Sequence, residues 1–421
     1  MAQRTSDLAL EGGAPVRTTP WPRYKGASLI GAEEKAAVLE VLESQSLFRY
    51  YGPRLLRKVE AFEQAFAAYL GAAYCLATSS GTAALRVGLA ALGVGPGDEV
   101  IVPAITFIAS ANAVLAQQAL PVFAEVDETL TLDIADVATR ITPRTRAIMA
   151  VHLGGIPTRM DALLTLARER GLVVIEDVAQ ACGAQFQDRA LGTWGAVGAF
   201  SFQQEKNITA GEGGALVTND PLLYQRAAIY HDQGGQFTLG AGGDRVHEGQ
   251  PIVGENLRMG EVAGAILGVQ LRRLPFIVER LRWAKKTILD LAGDLPGLQP
   301  RPSPDPEGEV PASLDFLVET PERAEAIARA LTAEGIPARR IYGGKPVYVT
   351  PSLMRRSTYH PSGRPFSDPL YGGQIPPYGW GLCPRSEAIV ARTVGFSLSP
   401  LLTEADCQDA ARALRKVARS L

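Results

Sequence analysis

The chain predicts an α/β fold: a large domain built on a mostly parallel mixed sheet covered by helices, followed by a smaller α+β domain. Three observations carry that expectation. Short β-like runs at 74–77, 99–102, 122–126, 147–151 and 172–175 alternate with helical patterns such as 82–92, 109–118 and 160–170. A length of 421 residues allows two or three domains and a large core. A Pro-rich segment at 300–311 then separates the alternation from a strand–helix–strand pattern at 313–318, 322–334 and 338–341.

The elements follow in order. After a Pro- and Gly-rich leader, 32–44 and 55–70 show apolar residues at helical spacing, the second through Leu55, Val59, Phe62, Phe66 and Tyr69 with Gly71 as its stop. Between them, Phe48-Arg49-Tyr50-Tyr51-Gly52-Pro53 is open to substrate contact or to plain packing of a turn. In the alternating region, ligands are expected beyond the carboxyl ends of the parallel strands. Residues 231–256 are Gly-rich and longer than a routine connection, which fits a loop over a site, a subunit contact or a flexible insertion. A helical stretch at 261–295, with Pro275 as a break, is expected to leave the large domain, dividing the chain into 1–275 and 276–421. Residues 343–384 show little periodicity, and an amphipathic helix at 404–420 ends the chain.

Composition excludes more than it selects. Apolar residues make up 46% and charged residues 20%, the balance of a globular enzyme. A net charge of −2 with interspersed signs leaves no basic footprint for nucleic acid or an anionic membrane. The N-terminus lacks the apolar core of a signal peptide and no stretch has the length of a membrane span, so a cytoplasmic location is expected. The four cysteines form no C-x-x-C, and the four histidines have no metal-ligand spacing. Reduced, buried thiols and no metal site are expected.

The stretch 195–220 is the most informative. An apolar run ends in a polar turn holding one lysine, Lys206, and Gly211, Gly213 and Gly214 lead into a second strand. A lysine in a turn is ordinarily solvated; held partly desolvated, its amine becomes a nucleophile toward a carbonyl. Upstream, Ser80-Gly81-Thr82 follows a strand and opens a helix, an arrangement that serves either as an N-cap or as a phosphate cradle. Asp177 closes a buried strand, where a carboxylate needs a cationic partner, good hydrogen bonds or a helix to cap.

These segments carry a resemblance. Ser201-Phe202-Gln203, Lys206-Asn207, Thr209 and Gly211-Glu212-Gly213-Gly214 resemble the lysine motif of the DegT/DnrJ/EryC1/StrS family, sugar aminotransferases of fold type I that depend on pyridoxal 5'-phosphate (PLP). Asp177 and Gln180 are similar to the family's D-x-x-[HQ] element, and 254–259 to its G-x-N-x-R-M element. The resemblance implies that Lys206 holds PLP covalently and, once freed, shuttles a proton, while Asp177 faces the pyridine nitrogen. It further implies that Ser80, Gly81, Thr82 and Ser201 hold the cofactor phosphate, that Phe107 stacks on the ring, and that Gln180 lies at the phenolic oxygen or the phosphate side. Asn256 would reach the cofactor phosphate of the partner subunit in a homodimer. The implied reaction moves an amino group from L-glutamate or L-glutamine to a keto group of a sugar, nucleotide-sugar, sugar acid or cyclitol, with ping-pong kinetics. Two alternatives stay open: a non-catalytic PLP-binding regulator, and a PLP-dependent sugar dehydratase, against which Lys206 itself argues because that enzyme carries histidine there. A nicotinamide oxidoreductase is disfavoured, because Gly93, Gly95 and Gly97 precede a strand instead of following one.

Overall fold

The computed structural model describes residues 8–237 and 252–421. Two helices, α1 (Ala32–Ser44) and α2 (Lys58–Leu70), precede the main sheet. The alternation then runs β1 (Tyr74–Thr78), α3 (Gly81–Ala91), β2 (Glu99–Pro103), α4 (Ile108–Ala116), β3 (Leu120–Ala124), α5 (Ile134–Arg140), β4 (Thr145–Val151), α6 (Met160–Glu169) and β5 (Val173–Asp177). A two-residue hairpin, β6 (Gln185–Phe186) and β7 (Arg189–Ala190), leads to β8 (Val197–Ser201), β9 (Gly214–Thr218) and α7 (Pro221–His231).

Seven of these strands form one sheet in the order β1-β9-β8-β5-β4-β2-β3, in which β9 alone runs against its neighbours. Side chains alternate across it. Phe200 points to the face covered by α2, where it meets Phe66 edge-on at 5.0 Å, whereas Val197 and Ala199 pack on the opposite face with Leu85 and Leu89 of α3. Both faces are buried, as a mostly parallel sheet requires.

One long helix, α8 (Glu261–Ala292), leads into the second part of the chain. Pro275 does not break it, contrary to expectation: Leu274, Ile277 and Leu281 are all fully buried, and α1, α2 and α12 pack along the helix. Proline forfeits one backbone hydrogen bond, and packing of this extent on both sides holds the helix together. The second sheet is antiparallel in the order β10 (Gln299–Pro300), β11 (Ser313–Leu317), β13 (Thr393–Ser397), β12 (Ala338–Arg340), covered by α9 (Pro321–Ala333), against which α12 (Glu404–Ser420) packs. The short helices α10 (Pro351–Met354) and α11 (Pro384–Ala391) lie in the aperiodic 343–384 stretch and just beyond it. Thr403 starts α12 with a capping box, its hydroxyl accepting from Asp406 N while the Asp406 carboxylate accepts from Thr403 N at 2.7 Å.

The leader is part of the body. Arg17 bonds Asp406 at 2.6 Å, Trp21 Nε1 donates to Ser397 O at 2.9 Å, and Ser399 Oγ donates to Tyr24 O at 2.7 Å. Helix α2 begins three residues later than expected because Arg57 takes a left-handed φ of 54°. All four cysteines are free and buried.

Candidate active site

Sequence makes a strand–turn–strand of 197–218, and the turn is tied at both ends. Phe202 N donates to Gly213 O and Gln204 N to Gly211 O, which closes the base of the loop; Lys206 N donates to Gln203 O in a tight turn at its tip. Thr209 Oγ1 bonds Phe202 O at 2.9 Å, and Asn207 Nδ2 bonds Cys182 O at 2.8 Å. Lys206 is therefore carried on a stiff support. Burial pushes its amine below the ordinary value, while the Asp177, Glu205 and Glu212 carboxylates oppose the shift.

Lys206 faces a cavity of about 750 Å³ at the carboxyl ends of the parallel strands. Asp177 lines it too, and its carboxylate is fixed: Oδ2 accepts from Ser110 Oγ at 2.8 Å, Oδ1 from Ala179 N at 3.1 Å. Ser110 is in turn bonded to Thr106 at 2.8 Å. Neither donor is charged, so a cation in the cavity has an oriented carboxylate to meet.

Across the cavity, α3 begins. Ser80 caps it by accepting from Ala83 N at 3.1 Å. Gly81 is required by close approach: a Cβ there would lie 2.6 Å from Ser201 Cβ. Its absence brings the Ser80, Thr82 and Ser201 hydroxyls and the positive end of the helix to one place, which suits a phosphate. Phe107, the N-cap residue of α4, is 57% exposed on the same cavity. Gln180 is held at both ends of its amide, Oε1 accepting from Gly154 N and Nε2 donating to Tyr342 Oη, each at 3.0 Å.

Eight of the nine residues singled out from sequence thus line one cavity: Ser80, Gly81, Thr82, Phe107, Asp177, Gln180, Ser201 and Lys206. Asn256 does not. It is exposed and forms an isolated bridge with Asp232, in a segment that lies against the β1–α3 turn through Ser79 N donating to Leu257 O at 2.7 Å. Arg49, from the turn left open to substrate contact, also lies outside the cavity, as do His231, Lys345, Tyr348 and His360. Arg49 is paired with Glu63 at 2.7 Å, and Tyr348 is buried with its hydroxyl on Glu387 at 2.6 Å. Of the long 231–256 connection, 238–251 fall outside the described residues.

Sequence reasoning missed Lys25, Arg339 and Tyr342, which also line the cavity. Lys25 is 7% exposed, and burial, helped by the nearby Lys206, lowers its amine to about 8. Tyr342 sits at a left-handed φ of 47°, an unusual conformation for a bulky residue that aims its hydroxyl at Gln180. The Tyr342-Gly343-Gly344 run was the one signal present in the sequence.

Residues 28–377 match the DegT/DnrJ/EryC1/StrS aminotransferase family. The chain belongs to that family. Its members are fold-type I enzymes whose cofactor is PLP, and the cavity fits that group: a hydroxyl-lined helix start, an oriented carboxylate and an amine of lowered basicity converge on it. The chain is 35% identical to the L-glutamine:2-deoxy-scyllo-inosose aminotransferase of Streptomyces kanamyceticus, over 99% of this chain and 98% of that protein. It is 38% identical to the dTDP-3-amino-3,4,6-trideoxy-alpha-D-glucose transaminase of Streptomyces venezuelae, over 88% of each. Among solved structures it is similar to S. venezuelae DesV, captured with a ketimine intermediate, at 33% identity and a TM-score of 0.79, covering 95% of this chain and 99% of that one.

Proposed function

We propose that the protein transfers the amino group of L-glutamine or L-glutamate to the keto group of a cyclitol of the scyllo-inosose type, with keto-sugar nucleotides as the second acceptor class. The observation that carries the reading is the convergence of Lys206 and Asp177 on one cavity, the first with its basicity lowered by burial and the second locked by Ser110 and Ala179. The nearly full-length similarity to inosose aminotransferases supports the acceptor class.

Bound PLP supplies an electron sink that makes the donor Cα–H acidic. In this reading Ser80, Gly81, Thr82 and Ser201 would hold its phosphate, Phe107 would flank the ring, and the carboxylate of Asp177 would keep the ring nitrogen protonated. Gln180, fixed by Gly154 and Tyr342, would help position the ring. Lys206 Nζ takes the proton from Cα of the donor and, in the second half of the cycle, returns one to the former keto carbon of the acceptor. The lowered basicity of Lys206 favours the free amine that the first of these steps needs.

A cytoplasmic homodimer, divided near residue 275 into a larger and a smaller part, belongs to the same proposal. Exposed Asn256, beside the β1–α3 turn but outside its own chain's cavity, supports a reach into a partner's site. Screening scyllo-inosose, 2-deoxy-scyllo-inosose and keto-sugar nucleotides for glutamine-dependent amination tests the reading. Cofactor-loaded protein that aminates none of them would overturn it.

A further inference from the structure

The leader delivers a lysine to the cavity by a close approach. Gly26 lies on the lysine loop so tightly that a Cβ there would sit 2.7 Å from Asn207 O and 2.5 Å from Gln270 Oε1. Tyr24, held by Ser399, and Arg23, paired with Glu205 at 3.1 Å, flank the preceding turn. Lys25 is thereby fixed at the cavity wall. Its Nζ makes no hydrogen bond or ion pair with the described residues. The side chain is mostly buried, while its ammonium opens on the cavity without a partner from the described residues, so the arrangement fits a ligand that supplies one.

The other cations lining the cavity are engaged or peripheral. Arg301 is bonded to Thr129 O, Leu153 O and Asp315, Arg340 pairs with Glu325 at 3.0 Å, Arg23 pairs with Glu205, and Arg339 is exposed. On the transaminase reading, which this inference rests on, two unlike molecules use the cavity in turn. The donor carries a carboxylate on the carbon that must reach Lys206; the acceptor is a neutral ring with hydroxyls beside its ketone. An arginine stays charged for both, whereas a lysine amine can gain or lose its proton.

We propose that Lys25 is the specificity-determining residue of the shared substrate site, binding the donor carboxylate as an ammonium and a hydroxyl of the acceptor as a neutral amine. The charged groups acting on it are Lys206 and Glu205 from the lysine loop and Arg339 from β12. The two cations lower its proton affinity and Glu205 raises it, and burial exceeds all three. A bound carboxylate raises it again, so donor binding near pH 8 draws in a proton.

The test separates the two half-reactions of the holoenzyme. In Lys25→Met, the apparent affinity for L-glutamine, read from the cofactor absorption in the absence of acceptor, falls about tenfold or more, while return by scyllo-inosose, which loses one neutral hydrogen bond, weakens by a smaller factor. Lys25→Arg keeps the donor step within about threefold and weakens the acceptor step about tenfold. A second readout needs no turnover. Glutarate, which has carboxylates but no amine, is titrated calorimetrically into the holoenzyme at pH 8 in two buffers of different ionisation enthalpy. Wild type takes up protons on binding glutarate, and Lys25→Met takes up clearly fewer. Unchanged donor affinity in a folded, cofactor-loaded Lys25→Met, or equal proton uptake in both proteins, overturns the inference. If wild type responds to no amino donor, the transaminase reading fails, and the glutarate titration still decides whether Lys25 is a carboxylate site.

Discussion

Strand β5 ends in two adjacent carboxylates that serve two different regions, because successive residues of a strand face opposite ways. Glu176 points into the body, fully buried. It accepts from Gly192 N and Trp194 N at 2.8 Å, from Gly195 N at 2.7 Å and from His152 Nε2 at 3.0 Å. His152 Nδ1 accepts from Thr158 N, so the ring proton is on Nε2 and the histidine donates as a neutral imidazole. Asp177 points into the cavity and is held by two uncharged donors. The comparison teaches that one carboxylate has its acceptor capacity filled by the fold, while its neighbour keeps capacity for a ligand. The filled one fastens the 192–195 turn that leads into β8 and the lysine loop.

The sharpest break of this comparison is a pair of substitutions. Asp177→Asn is expected to fold with little change in Tm and to lose about 10²–10³ in kcat, as removal of one preorganised electrostatic group does. Glu176→Ala is expected to lose about 3–5 kcal/mol of stability, because four donors lose a buried ionic partner; its Tm drop is checked by thermal denaturation. Equal stability loss in both would erase the distinction.

Much of the Asp177 side was legible in the sequence, and its limits are physical. Lys206, Gly211, Gly213 and Gly214 sit in one contiguous motif, and Asp177 closes a run of apolar β-formers, so local pattern sufficed. Lys25 and Tyr342 were silent because their roles depend on where distant chain returns: Gly26 onto Asn207, and the end of β12 onto Gln180. Helix α7 carried a start signal in Asp220-Pro221, with the carboxylate accepting from Leu222 N and Leu223 N, but Leu222, Leu223, Tyr224, Ala227 and Ile229 surround the helix and hide its period. Pro275 gave a local signal to stop that tertiary packing overrode. In the small sheet, β13 carries Gly395 where a Cβ would sit 2.2 Å from Asp315 Oδ1, so a residue that weakens strand patterns is demanded there by its neighbour.

A smaller effect sharpens the picture from the cavity side. In the ligand-free protein, the Lys25 amine lies near 8 against an ordinary 10.5, so its charge costs stability fully below about pH 8, and the cost fades as pH rises toward the unfolded value. Lys25→Met is therefore expected to raise the Tm of ligand-free protein at pH 7, by at most about 3 kcal/mol of stability, with the gain shrinking above pH 8. Thermal melts across pH 7–10 check the sign. Smallest is Tyr342→Phe, which removes one neutral hydrogen bond to Gln180. It is expected to cost about tenfold or less in kcat/KM without shifting Tm by more than a few degrees.

The central claim is that Lys206, and not the neighbouring amine of Lys25, carries the cofactor. Borohydride reduction of the holoenzyme followed by peptide mapping tests it most directly. The account predicts the cofactor mass on the peptide containing Lys206 and its loss in Lys206→Ala, with activity down by at least about 10²–10⁴. Cofactor mass on the Lys25 peptide, or full amino transfer in Lys206→Ala, would contradict it.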